Sequence, residues 1–346
     1  MIGTPDSGAK HVVHLTCSAA FAGVERYVSL LAPHQAERGW RVTVIGGATE
    51  PMKRSLEGTD VRFLPAATLR SARAALRSVS RADIVNTHMS NADLAGIMAS
   101  VRSDSHLVST RHFAAPRGGS RPIRAAFGMA RRRFAAQISI SHFVAGSIGE
   151  PSSVVHTGVT DAAAGACGRR VVLMAQRLEP EKATDVAIAA WAASRARDEG
   201  WELHIAGDGS ERVRLQHQAA ALGVRDSVRF LGHQENVRAL MPDAGVFLAP
   251  TAREGLGLSV LEAMACALPI VASSTGGHAE TIGSVEGALL FQPDDVRGAA
   301  RLLDVAVADA ECRRRYGLRA QRVQRERFTV HAQADATLAV YEGCLS

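Results

Sequence analysis

Paired cysteines, long apolar runs and aromatic residues are all scarce in this 346-residue chain. Its five cysteines, Cys17, Cys167, Cys266, Cys312 and Cys344, are scattered. They show neither the short spacings of a metal site nor a disulfide framework, which points to a reducing cytoplasm. No run approaches the roughly 18 uninterrupted apolar residues of a membrane span, and the N-terminus has no basic segment leading into an apolar core. Both features argue against spanning and secretion. Aromatic residues make up 5% of the chain, and no basic stretch is rich in them, so nucleic-acid binding has only charge in its favour. A dinucleotide fingerprint is also missing. Only Gly23 lies in the turn after the first strand, and Gly46-Gly47 end the second strand where an acidic residue is needed, which weakens an NAD enzyme. No paired-carboxylate hydrolase motif stands out either.

What is present suits two α/β domains: the chain is long enough for two cores and 47% hydrophobic. A net charge of +6 and an isoelectric point near 9.4 favour anionic partners such as nucleotide sugars or acidic lipid surfaces. Short apolar runs at His11 to Thr16, Arg41 to Ile45, Asp83 to Thr87, His106 to Thr110, Ala136 to Ile140 and Val154-Val155 alternate with helical patterns. The small, polar, glycine-containing segment from Thr157 to Arg170 reads as a linker, and alternation restarts at Val171. The expected division is an N-terminal domain over 1–160, a second over 161–327 and a final helix over 328–346. Arginine crowds the stretch from Arg111 to Arg133, with Arg117, Arg121, Arg124 and Arg131 to Arg133 interleaved with Ile123, Phe127 and Met129. It suits an anionic membrane surface or a phosphorylated acceptor, and equally a solvated helix.

The chain is organised around the stretch from Pro250 to Ile282. Gly245 to Ala249 reads as a buried strand, Gly255 and Gly257 break it, and a helix starts at Leu258. Backbone N–H groups at such a start hold anions, with glycine leaving room for phosphate or sugar oxygens. Glu254 in the turn and Glu262 in the helix are too far apart for a proton-sharing dyad and suit separate hydroxyls of an extended ligand. Compensation of the helix dipole is the plainer alternative for each. Arg177 and Lys182 follow another strand, where two cations can neutralise a diphosphate or form an ordinary exposed loop. Ala206-Gly-Asp-Gly209 repeats the strand-to-glycine-to-helix form. His88 and His112 each follow a strand end, where open α/β sheets bind ligands, although a lone histidine is more often structural.

The motifs E-G-L-G-L-x-x-L-E-A-M-A, T-G-G-x-x-E and R-L-x-P-E-K together resemble the donor-site signature of the retaining glycosyltransferase family 4. The resemblance spans nearly the whole chain and is strongest from Val171 to Ile282. It implies a GT-B fold, α/β, with two Rossmann-like doubly wound domains facing each other across a cleft, and the last helix crossing back to the first. It also implies a nucleotide-diphosphate sugar, of UDP or GDP, as donor and a hydroxyl acceptor, with no cofactor or metal. Arg177 and Lys182 would stabilise the leaving diphosphate, Glu254 would meet the donor sugar, and Glu262 the ribose. Gly23, Gly207, Gly209, Gly255, Leu256, Gly257 and Leu258 would line the donor site. His112, within T-R-H, would contact acceptor or donor sugar, with His88 second. The chain departs from the pattern at Ala22, Gln176, Ala183 and Ala267, places where the family's glycines are replaced. Alternatives of other kinds are a sugar phosphorylase and a non-catalytic nucleotide-sugar or glycan-binding protein.

Overall fold

The computed structural model describes residues 8–79, 81–100, 104–118, 127–166 and 168–346. The chain separates into two compact units, 1–158 with 330–346, and 159–329. The boundaries thus fall at 158 and 329, against the expected 160 and 327.

Unit 1 carries a parallel sheet of β1 (His11–Leu15), β2 (Arg41–Ile45), β3 (Val61–Leu64), β4 (Ile84–His88), β5 (His106–Arg111), β6 (Phe134–Ser139) and β7 (Ser153–Val154), in the order 3-2-1-4-5-6-7. Its helices are α1 (Gly23–Ala36), α2 (Thr49–Leu56), α3 (Leu69–Ser78), α4 (Ser90–Ser100) and α5 (His142–Ile148). Unit 2 repeats the plan with β8 (Val171–Ala175), β9 (Glu202–Ala206), β10 (Val228–Gly232), β11 (Val246–Ala249), β12 (Ile270–Ser273) and β13 (Leu289–Phe291), ordered 10-9-8-11-12-13. Its helices are α6 (Thr184–Ala193), α7 (Arg212–Ala221), α8 (Leu258–Ala265), α9 (Gly277–Thr281), α10 (Val296–Ala308) and α11 (Ala310–Arg327). The last helix, α12 (Val330–Leu345), belongs to unit 1 and packs on α1.

Central strands β8, β11 and β12 of the second sheet read as near-continuous apolar runs because helices cover both faces. Val246 to Ala249 and Ile270 to Ser273 are buried throughout. Edge strands lack that signature. β3, with sequence V-R-F-L, is only half-buried, and β13 spans three residues, so neither stood out in the sequence, nor did α2, α3 and α9 beside them. In each sheet the strand order reverses beside the first strand, between β1 and β4 and between β8 and β11. Loops leaving those two pairs diverge to opposite sides of the sheet and open a crevice at the carboxyl ends.

The arginine-rich stretch is not one surface. Arg117 is buried and Arg111 donates to the Ala115 carbonyl at 2.7 Å, while Met129 is 77% exposed and Arg131 to Arg133 form an exposed 3-10 turn. Arg121, Ile123 and Arg124 lie outside the described residues.

Candidate functional site

In unit 2 the turns after β8, β9, β11 and β12 meet at one end of the sheet. Their glycines are the reason. A Cβ on Gly207 would lie 1.8 Å from the Gln176 carbonyl oxygen, and one on Gly209 2.3 Å from that of Leu178. These two glycines therefore let the turn after β9 pack backbone to backbone against the Arg177 turn, where Leu178 N–H donates to the Asp208 carbonyl at 2.9 Å. Likewise a Cβ on Gly277 would lie 2.2 Å from Leu256 Cα. Gly277 N–H donates to the Glu254 carbonyl at 2.8 Å and Thr275 Oγ1 to that of Ala252 at 2.9 Å, so T-G-G clamps the turn that carries Glu254. Gly257, at φ +94°, turns the chain into α8. Gly255, Leu256 and Gly257 are buried, and Leu258 is half-buried.

Lys182 reaches across this floor and its Nζ donates to Glu254 Oε2 at 2.7 Å, joining residues 72 positions apart. Burial raises the Glu254 pKa, but the Lys182 charge, its hydrogen bond, the nearby His278 and the Gly255 N–H outweigh burial and hold it below the usual carboxylate value. Arg177 does not join them. Its side chain is 60% exposed and pairs with Glu181 at 3.0 Å, four residues along the same turn. The two basic residues that sequence groups together thus occupy different environments. Glu262 is buried within α8.

Two contributors escaped the sequence reading. Gln176, where the resembled family has glycine, donates from Nε2 to the Lys182 carbonyl at 2.7 Å and to Thr184 Oγ1 at 3.0 Å, and its Oε1 accepts from Thr251 at 2.9 Å. It ties the Lys182 turn to the strand end before Glu254. His278 is buried beside Gly257 and Glu254, with Nδ1 lacking a hydrogen-bond partner among the described residues. Burial depresses its pKa to about 4, with Lys182 adding to the drop and Glu254 and the Ser273 backbone opposing it, so the ring is neutral at pH 7. Its place directly after T-G-G was the available signal.

Ala183 and Ala267 sit at φ +51° and +56°, the left-handed region that favours glycine. Ala22, the third replacement, has ordinary extended backbone at φ −120°. Ala183→Gly is expected to stabilise unit 2 by about 1 kcal/mol by relieving that strain. A higher denaturation midpoint at unchanged slope is the readout, and a lower midpoint would show that Ala183 is unstrained.

In unit 1, Gly23 opens α1 and is exposed. His88 and His112 are both buried and hydrogen-bonded to each other, Nδ1 to Nε2, at 2.9 Å. A third histidine, His14 on β1, extends the row, its Nδ1 lying 3.1 Å from His88 Nε2. Burial lowers the pKa of His14 to about 4, that of His112 to about 3 with help from Arg111, and that of His88 well below its ordinary value. All three are neutral at pH 7. Elsewhere in unit 1, His34, Glu37 and His331 bring metal-ligand atoms within 4.8 Å of one another.

Two family descriptions match the chain: Glycosyltransferase Family 4 over residues 21–162 and Glycosyl transferases group 1 over 164–323. Among curated proteins it is 29% identical to the lipopolysaccharide core biosynthesis mannosyltransferase LpcC of Rhizobium leguminosarum bv. viciae, over 60% of this chain and 59% of that protein. It is 37% identical to the 2-deoxystreptamine N-acetyl-D-glucosaminyltransferase of Streptomyces fradiae, over 32% of this chain and 27% of that protein. The match to an exopolysaccharide phosphotransferase of Streptomyces coelicolor, at 35% identity, covers 44% of this chain and 16% of that one. The chain therefore spans less than two thirds of the length of these relatives, from 16% to 59%. Among solved structures, Anabaena HepE in complex with UDP-glucose superposes with a TM-score of 0.83 at 21% identity, covering 96% of this chain and 99% of that one. Sucrose-phosphate synthase from Thermosynechococcus elongatus follows at 0.79 and 18%, covering 97% and 99%. The fold is GT-B.

Proposed function

The chain belongs to the family 4 glycosyltransferases, and on that premise we propose that it moves a sugar from a nucleotide-diphosphate donor to a hydroxyl acceptor with retention of anomeric configuration. The observation that carries the reading is the Lys182–Glu254 pair at the reversal point of the second sheet, beside the glycine turn that opens α8. Lys182 supplies positive charge where the diphosphate leaves, and Glu254, kept ionised, accepts hydrogen bonds from sugar hydroxyls. As the bond from the anomeric carbon to the diphosphate oxygen breaks, the acceptor oxygen bonds to that carbon from the same face. Its proton passes to a phosphate oxygen and the nucleoside diphosphate departs. No protein general base is then needed.

Contact with an anionic membrane through 111–133 would fall, among the described residues, to Phe113, Met129 and Arg131 to Arg133, which are exposed, since Arg117 is buried. A donor screen scored by release of nucleoside diphosphate tests the proposal. UDP-glucose is the first donor to try, because HepE was solved with it. No release from any UDP or GDP sugar, with phosphate-dependent turnover instead, would turn the reading to a phosphorylase.

The two glutamates divide the work in this reading. Ribose is present in both donor and product, so Glu262→Ala is expected to weaken nucleoside diphosphate binding by roughly 1.5–3 kcal/mol, the value of a charge-assisted hydrogen bond. Glu254→Ala is expected to leave that affinity nearly unchanged and to reduce transfer. Calorimetry with the nucleotide alone, beside steady-state rates, separates the two, and equal losses of affinity would end the division.

A further inference from the structure

We propose that Gln35 fixes the tautomer of His112 through two intervening histidines, so that His112 offers an N–H at Nδ1 to the glycosyl substrate. The proposal rests on the transferase reading for what His112 meets, and on unit 1 alone for the chain itself.

The row begins at Gln35 on α1, whose amide lies 2.6 Å from His14 Nε2. His14 Nδ1 then meets His88 Nε2, and His88 Nδ1 meets His112 Nε2. A neutral imidazole carries one N–H and one bare nitrogen. Each ring therefore donates in one direction only, and the three must share a tautomer. If Gln35 accepts from His14, every ring is protonated at Nε2 and His112 is left with a bare Nδ1. If Gln35 donates, every ring is protonated at Nδ1 and His112 ends in a donor.

The surroundings of Gln35 choose between these. With Oε1 turned to His14, Gln35 Nε2 is buried without a hydrogen-bond partner among the described residues, an unfavourable arrangement for a buried donor. On its other side stands the Tyr341 hydroxyl, fully buried and near enough to interact with the Gln35 side chain. Tyr341 already accepts from Asn86 Nδ2 at 2.6 Å, and Asn86 Oδ1 accepts from Thr110 at 3.0 Å. The Tyr341 proton thus needs an acceptor. Exchanging the two ends of the amide, which have the same shape, places Nε2–H on His14 and turns Oε1 toward the Tyr341 hydroxyl, which gives that proton an acceptor. Charge does not disturb the row, since burial keeps all three rings neutral at pH 7. The direction of hydrogen bonding at His112 is in this way set from the far end of the row, by Gln35 on α1 and Tyr341 on α12.

Proton-detected nitrogen spectra of the ring atoms in the substrate-free chain test this. The expected result is Nδ1–H at His14, His88 and His112, and an Nε2–H signal at His112 would overturn the direction. Gln35→Met keeps the volume and removes the donor, so His112 is expected to show both tautomers, while an unchanged His112 spectrum would overturn the relay. The wild-type spectrum stands even if the variant fails to fold. Since no substrate is present, these results are independent of whether any donor is turned over. With an active donor in hand, Gln35→Met is expected to lower kcat roughly two- to tenfold, the value of one neutral hydrogen bond, with nucleoside diphosphate affinity unchanged. A parallel loss of that affinity would overturn the positioning role.

Discussion

Replacing Lys182 with alanine is expected to lower turnover roughly ten- to thousandfold, a barrier increase of about 1.4–4 kcal/mol. Two losses combine. The ammonium group that meets the departing diphosphate is gone, and Glu254 is left half-buried without its cation, its Nζ partner at 2.7 Å removed. Burial, which raises the Glu254 pKa, is then less opposed. Because Lys182 holds that pKa down, the folded enzyme keeps Glu254 ionised to lower pH than usual. Without Lys182 the carboxylate protonates at higher pH, and the acidic limb of the pH–rate profile should move upward. Arg177→Ala is the control. That side chain is exposed and pairs with Glu181, and exposed pairs contribute about 0–1 kcal/mol. Steady-state rates across pH on folded variants decide the matter. Turnover of Lys182→Ala within twofold of the parent would remove Lys182 from the leaving-group role.

Arg117→Met is expected to destabilise unit 1 by about 3–5 kcal/mol, the loss that follows when one partner of a buried ion pair is removed. The guanidinium donates to Asp93 Oδ2 at 2.7 Å, Glu150 Oε2 at 3.1 Å, Ser109 Oγ at 2.8 Å and Gln137 Oε1 at 2.8 Å. It also lies 4.8 Å over the Phe134 ring. Asp93 is itself 1% exposed and accepts from Thr87 and Ser109 at 2.5 and 2.8 Å. Methionine would leave that carboxylate charged and walled off from water, while the packing against Phe134 is partly kept. Denaturant titration followed by a unit 1 signal gives the change. A loss under about 1 kcal/mol would mean that water replaces the guanidinium, and adding Asp93→Asn should recover part of a large loss. If Arg117 served a membrane face instead, vesicle flotation would change and stability would not.

Local pattern carried much of this protein. The alternation of apolar runs and helices, the glycine turn from Glu254 to Gly257 and the histidines at strand ends were all legible, because each depends on residues adjacent in the chain and on the period of one element. Short half-buried edges such as Val61–Leu64 were not, since an edge strand need not be apolar on both faces. Composition pointed to a passage between units near 158, whereas the return of the last helix to unit 1 after 329 was implied only by resemblance. Spacing could not say which charges meet. Arg177 and Lys182 looked equivalent, yet only Lys182 reaches Glu254, and Arg117 looked like its exposed neighbours until Asp93 and Glu150 closed on it. Nor could it show that Gln35, His14, His88 and His112 form a single row. The amino-acid sequence by itself determined the elements and the glycine turns, which are short-range preferences of backbone and side chain. The tertiary structure alone decided the partners of each buried polar group, because those partners come from strands and helices far apart in the chain and only packing brings them within hydrogen-bonding distance.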